Sequence, residues 1–159
     1  MGVISCIAQS EQAQLIKTSP EEGWTTSIGT GDLVSGAGSD LISTYESDVA
    51  QVVISISDVV ENAAWRVDVS RDSGSWNNNL TLSARRTGAG LGGGSIAGGD
   101  SYGLIDTVGY VLFSGTGNRS DITIQMKLSG ISLQIPPNTD PRHPIPPYTT
   151  TITYTLVEL

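Results

Sequence analysis

The chain has 159 residues and a net charge of −8, and 19 Gly, 20 Ser and 16 Thr make up about a third of it. Eight basic against sixteen acidic residues argue against the basic face of a nucleic-acid binder, and one His with one Cys leave neither a soft-ligand metal cluster nor an intrachain disulfide. The 40 Val, Ile, Leu and Phe residues suffice for one ordinary core, yet no apolar run approaches the roughly 20 residues of a membrane span, so one domain without a membrane span is expected.

Residues 1–23 read as an N-terminal arm, extended or a short helix over Ser10–Lys17 capped by Ser10, and residues 24–159 as the body. Met1–Gln14 shows neither the basic n-region nor the apolar h-region of a signal peptide. Val3-Ile4-Ser5-Cys6 resembles the end of a bacterial lipobox, which makes Cys6 a possible lipid anchor; otherwise it is a small buried hydrophobe. The first sixty residues hold one lysine against eight acids, a net of −7, which is either a solvated face or an end that seeks a basic partner.

From about residue 50 the dominant pattern has period two, as in strands with one buried and one wet face. Val52, Ile54 and Ile56 alternate with Val53, Ser55 and Ser57; Trp65, Val67 and Val69 with Arg66, Asp68 and Ser70. Leu80, Leu82 and Ala84 follow, then Ile122 to Leu128, Ile131 to Ile135, and finally Ile152, Tyr154 and Leu156 among threonines. Leu41–Tyr45 and Gly109–Phe113 are shorter candidate strands. Polar turn clusters separate the runs, and six prolines between Pro136 and Pro147 make a loop before the last strand. The fold expected is all-β: an antiparallel β-sandwich, Ig-like or jelly-roll, of about seven to nine strands with an N-terminal extending arm.

Candidate chemistry is thin. Gly88–Gly99 carries no Walker lysine and no following helix, so it reads as a long hairpin loop or a crossing where backbones approach closely. His143 stands between prolines, and no Gly-x-Ser-x-Gly elbow exists. Asp68 and Asp72 lie on a strand face and in a turn, and Asp68–Gly74 fails the calcium-loop pattern: its glycine is one place late and no bidentate Glu follows. No enzyme activity, cofactor or metal is expected. Trp65 reads as core, whereas Trp76 in a polar loop is the candidate sugar contact. Sequons at Asn79 and Asn118 matter only in a glycosylating route.

Two segments remain for assembly. Tyr148–Val157 is uncharged, with Tyr148, Ile152, Tyr154 and Leu156 as anchors either in the chain's own sheet or in a neighbouring subunit's groove, and the arm, disordered or docked on a neighbour, offers Val3, Ile7, Leu15 and Ile16. Lys17 and Lys127 are the only lysines, so edge strands have little charged protection against pairing. The arm Val3–Ser19 and the terminal Tyr148–Leu159 strand resemble those of pilins and other surface-filament subunits that assemble by donor-strand exchange. The chain departs from chaperone–usher pilins in having only Cys6 and in placing Pro144–Pro146 where those carry a glycine near the end. The resemblance implies an extracellular or cell-surface structural subunit whose partners are copies of itself, joined by strand addition. A carbohydrate-binding adhesive module and a virion decoration protein are the alternatives.

Overall fold

The computed structural model describes residues 12–19, 23–28, 30–131 and 148–159. These contain strands β1 (Gln14–Ser19), β2 (Thr44–Glu46), β3 (Val52–Ser57), β4 (Ala64–Arg71) and β5 (Thr81–Arg86). They continue with β6 (Ile96–Ala97), β7 (Gly103–Leu104), β8 (Tyr110–Thr116), β9 (Arg119–Ser129) and β10 (Ile152–Glu158). Apart from a 3-10 turn at Thr30–Asp32, no helix occurs among the described residues. The chain is all-β, in two antiparallel sheets.

The first sheet has the order β1-β3-β9-β5-β7, and the second β10-β4-β8-β6. From β3 to β10 each successive strand changes sheet, so no two neighbours in this part of the chain form a hairpin. β9 is the spine of the first sheet. One of its edges carries β3 against Arg119–Ile124 and β2 against Lys127–Ser129, while β5 takes the other. The five residues between β2 and β3 step out of the ladder. Ser47 repairs the gap: its amide donates to the Met126 carbonyl at 3.0 Å, and its Oγ accepts the Met126 amide at 2.9 Å.

The period-two pattern becomes one core shared by both sheets. Ile54, Ile56, Ile122, Ile124 and Met126 of the first sheet meet Trp65, Val67, Val69 and Phe113 of the second. Burial of each such side chain stabilises by about 1.5–3 kcal/mol. Trp65 lies edge-on to Phe113, with ring centroids 6.3 Å apart at 82°, and its indole N–H donates to the Gly117 carbonyl at 2.8 Å. A smaller cluster of Leu80, Leu128 and Ile131 closes one end of the sheets, with Trp24, Trp76 and Tyr148 packed on it.

Local departures from alternation have identifiable causes. Val67 pairs with Phe113 and Asp68 with Val111, so Leu112 is an extra residue and two consecutive side chains of β8 are buried. In β9 a bulge between the partners of Ile54 and Ile56 places Asp121 in the left-handed region, φ 58°. Of the Ser10–Lys17 segment, expected as a short helix or an extended arm, the described residues from Gln12 onward are extended: Gln14–Ser19 is β1, paired with β3 of its own chain. The Leu41–Tyr45 run yields β2, one residue further on, and a Leu33–Leu41 bridge. Of the Ile131–Ile135 run only Ile131, buried and outside a strand, belongs to the described residues.

Gly88–Gly99 is where backbones meet. Leu91 bridges Ser120, and Gly90 and Gly94, at φ 68° and 80°, lie so close to the Ser120 and Thr116 carbonyls that no side chain fits. Buried Arg119 clasps the loop, Nη1 donating to the Ala89 carbonyl at 2.9 Å and Nη2 to the Gly94 carbonyl at 3.0 Å. Gly115 is equally constrained, since a Cβ there would stand 2.7 Å from the Trp65 ring. Gly115→Ala is therefore expected to lower stability by about 1–3 kcal/mol through overpacking, read as a lower urea midpoint at unchanged slope.

Candidate functional site

The two lateral sides of the sheets differ. On one side the outermost strands, β6 and β7, have two residues each, which leaves little ladder for another chain. On the other, β1 and β10 are six and seven residues long. Among the described residues β1 pairs only with β3 and β10 only with β4, so each presents a row of outward backbone groups.

These two edges belong to different sheets and meet at one end, where the Ala13 amide donates to Glu158 Oε1 at 2.7 Å. A cleft of about 360 Å³ lies between them, lined by Gln12, Ala13, Leu156, Val157 and Glu158. β10 has no Lys, Arg or Pro, and its exposed Thr153 and Thr155 are short and uncharged. β1 carries Lys17 in its middle, the single cation on this side's two strands.

The residues expected to mediate assembly divide by orientation. Ile152, Tyr154 and Leu156 pack against the chain's own main core, and Tyr148 against the smaller cluster. The Tyr154 hydroxyl approaches Met126 Sδ at 3.7 Å, and burial raises its pKa. Burial likewise pushes Tyr110 up to about 12. Both phenols are neutral near pH 7 and pack as core residues. Leu15 packs inward, whereas Ile16 is 46% exposed on the outer surface of β1. Val3, Ile7 and Cys6 lie outside the described residues, as does His143.

The start of β10 is tied down by Asp72. Its Oδ1 accepts the Thr150 hydroxyl and the Thr151 amide, each at 2.9 Å, while its own amide donates to the Thr151 carbonyl at 2.9 Å. Thr149 and Ser75 exchange two further backbone bonds, at 2.9 and 3.0 Å. The Thr151 amide, followed by the Thr150 hydroxyl, holds the Asp72 carboxyl below its ordinary range. Asp68 faces Arg66 instead, 3.1 Å from its Nε. The two acids weighed for glycoside or calcium chemistry thus have separate partners, and the described residues contain no group of three or more His, Cys, Asp or Glu able to hold a metal.

Trp76 is half-buried between the two clusters, its indole N–H donating to the Leu80 carbonyl at 3.0 Å, and the Arg71 guanidinium lies 5.6 Å from its ring centre. The ring is thereby engaged in closing the end of the sheets. Asn118 Oδ1 accepts the Val59 amide at 2.9 Å, tying two loops together, and Asn79 is exposed. No helix among the described residues is long and apolar enough to cross a membrane.

Two features escaped the sequence reading. The Asp72 clamp joins residues far apart in the chain. The outer face of the first sheet gathers Tyr102, Arg85 and Lys127; alternation signalled Arg85 and Lys127, but nothing signalled Tyr102, which sits in a loop. Comparison with family models, curated proteins and solved structures found no match for the chain.

The Asp72 contacts give a pH dependence with a definite sign. Its folded pKa lies below the unfolded value of about 3.9, so its contribution is complete above that value and disappears as pH falls through the lowered pKa. Asp72→Ala should be less stable than the wild type at pH 7, with the difference in urea midpoint shrinking from about pH 5 to pH 2. A difference that stays constant over this range would refute the clamp.

Proposed function

We propose that the protein is a non-enzymatic structural subunit of an extracellular or cell-surface assembly, self-associating by strand addition at the side bounded by β1 and β10. The observation that carries this reading is the pairing of two open, nearly uncharged edge strands on one side of a fold whose other side is blunted. A strand added there gains main-chain hydrogen bonds along its length and a cleft for alternate side chains. The arm residues Val3 and Ile7 of a neighbouring copy are the proposed plugs, because they precede the cleft-lining Gln12 in the chain. Leu156, Val157 and Glu158 of β10 line the cleft that receives them, while Tyr148, Ile152 and Tyr154 hold the terminal strand on its own core. The Ser/Thr-rich composition supports an exported protein, with Cys6 as an optional lipid attachment point.

The strict change of sheet from β3 to β10 favours jelly-roll over Ig-like connections, since an Ig-like fold retains hairpins within a sheet. That connectivity supports a second reading, a virion decoration protein, in which the same edges would contact a shell. The half-buried, hydrogen-bonded Trp76 gives little support to a sugar-binding module.

Electron microscopy of purified protein at physiological ionic strength separates these readings: filaments are expected. Thr155→Lys places a charge on the β10 edge and should abolish filaments while leaving the circular dichroism spectrum unchanged. Deletion of residues 1–11 should have the same effect. Undiminished polymers from both variants would sink strand addition at this side.

A further inference from the structure

β10 is joined to the body in a way that a second chain can reproduce. It is the outermost strand of its sheet and, among the described residues, pairs only with β4, from Ile152 opposite Arg71 to Glu158 opposite Trp65. Its inward side chains, Ile152, Tyr154 and Leu156, pack on the main core. Asp72 and Ser75 fasten its entrance by hydrogen bonds to Thr149, Thr150 and Thr151. At its other end the Leu159 amide donates to the Ala64 carbonyl at 2.9 Å. Each of these contacts joins the terminal strand to the body, so a β10 from another copy seated on the same β4 makes the same set.

The connection that leads to this strand favours such an exchange. Ile131 belongs to the smaller cluster at one end of the sheets and Tyr148 packs on the same cluster, so residues 132–147 start and finish at one place. Six of those sixteen residues are proline, between Pro136 and Pro147. Proline-rich spacers are semi-rigid and extend by about 3.1 Å per residue, or roughly 50 Å over such a length. A domain of this size has a radius of gyration of about 15 Å, so a spacer of that reach passes the width of the molecule. A flexible link between neighbouring points closes at small entropic cost. A stiff one resists being turned back on its own start and delivers its strand more readily to a second molecule. β4 also precedes β10 by most of the body, which leaves its edge open to another copy's strand while the chain folds.

We infer that two copies exchange their C-terminal strands, each seating its β10 on the β4 edge of the other. Surface and occupant are matched residue for residue by the register already present within one chain. The exchange is reciprocal and closes on a two-fold axis. Because the strand contacts are those of the single chain, protein concentration sets the balance between exchanged dimer and monomer. The exchange goes beyond strand addition by the arm: it leaves the β1 edge and the cleft unchanged, and gives each exchanged unit two such sides.

The test uses full chains carrying Cys6→Ser, which removes the only cysteine. Ser70 and Thr153 are Cα partners across β4 and β10, and paired strand residues stand about 4.5–5.5 Å apart, within the span of a disulfide. One chain carries Ser70→Cys and the other Thr153→Cys. Unfolded in urea, mixed and refolded together at high protein concentration, the two should give a disulfide-linked mixed dimer on oxidation. The same chains refolded separately and then mixed should give several-fold less, because exchange requires β10 to leave β4. Replacing the six prolines by glycine should remove most of the mixed dimer and leave monomer with an unchanged circular dichroism spectrum. The double variant Ser70→Cys/Thr153→Cys, refolded at low concentration, checks that the two positions can bond. Exchange is overturned if the double variant cross-links and the co-refolded mixture does not, if chains mixed after folding link equally well, or if the glycine linker leaves the yield unchanged. Protein lacking residues 1–11 should give the mixed dimer undiminished, whatever becomes of its filaments. A dimer that disappears with those residues belongs to strand addition by the arm, and exchange of β10 is then refuted.

Discussion

β9 is the constraint on which the rest depends. Its eleven residues accept three partners, β2 and β3 in tandem on one edge and β5 on the other, so its ladder sets the register of most of the first sheet. Because side chains alternate with period two, that register also decides which residues face the second sheet. Ile122, Ile124 and Met126 enter the core only while Ser47 and the Asp121 bulge absorb the mismatches at the two ends of the strand. The same register turns Gln125 and Lys127 to the opposite face of the sheet, beside Arg85 and Glu46.

Much of this architecture was legible in the sequence, and the illegible parts have physical reasons. The alternating runs around Ile54, Val67, Leu82, Ile124 and Tyr154 all became strands with the expected face inward. β8 was seen only in part, because the bulge at Leu112 puts two consecutive residues in the core and breaks the period. β6 and β7 have two residues each, too short for any periodicity. Adjacent Leu15 and Ile16 gave no alternation, since Leu15 packs on the core while the equally apolar Ile16 lies on the exposed face. Pairing between strands is the larger loss. The sequence showed that Ile152–Leu156 is a strand, but not that β4 is its neighbour, and the Thr150–Asp72 hydrogen bond links residues 78 apart. Local pattern carries no information about such partners.

The Gly, Ser and Thr residues that dominate the composition serve opposite purposes on the two sides of the fold. Glycines let the 88–94 segment lie against the start of β9 with no side chain between, and Arg119 fixes them there. Threonines supply the exposed face of β10, where Thr153 and Thr155 are short and uncharged.

The constant change of sheet also bears on time. β4 must wait for β10, whose residues lie 81 to 93 positions later in the chain, to cover its edge. At a synthesis rate of about 5–20 residues per second, the Ala64–Arg71 ladder stands uncovered for roughly 4 to 19 seconds after it is made. Its central residues, Trp65, Val67 and Val69, are among the most apolar of the core. Nascent chains therefore pass through an interval in which the second sheet can recruit a strand from a neighbouring polypeptide as readily as its own. Folding of this topology is slow because its contacts are non-local, and the β4 edge is completed only when the C-terminal strand arrives.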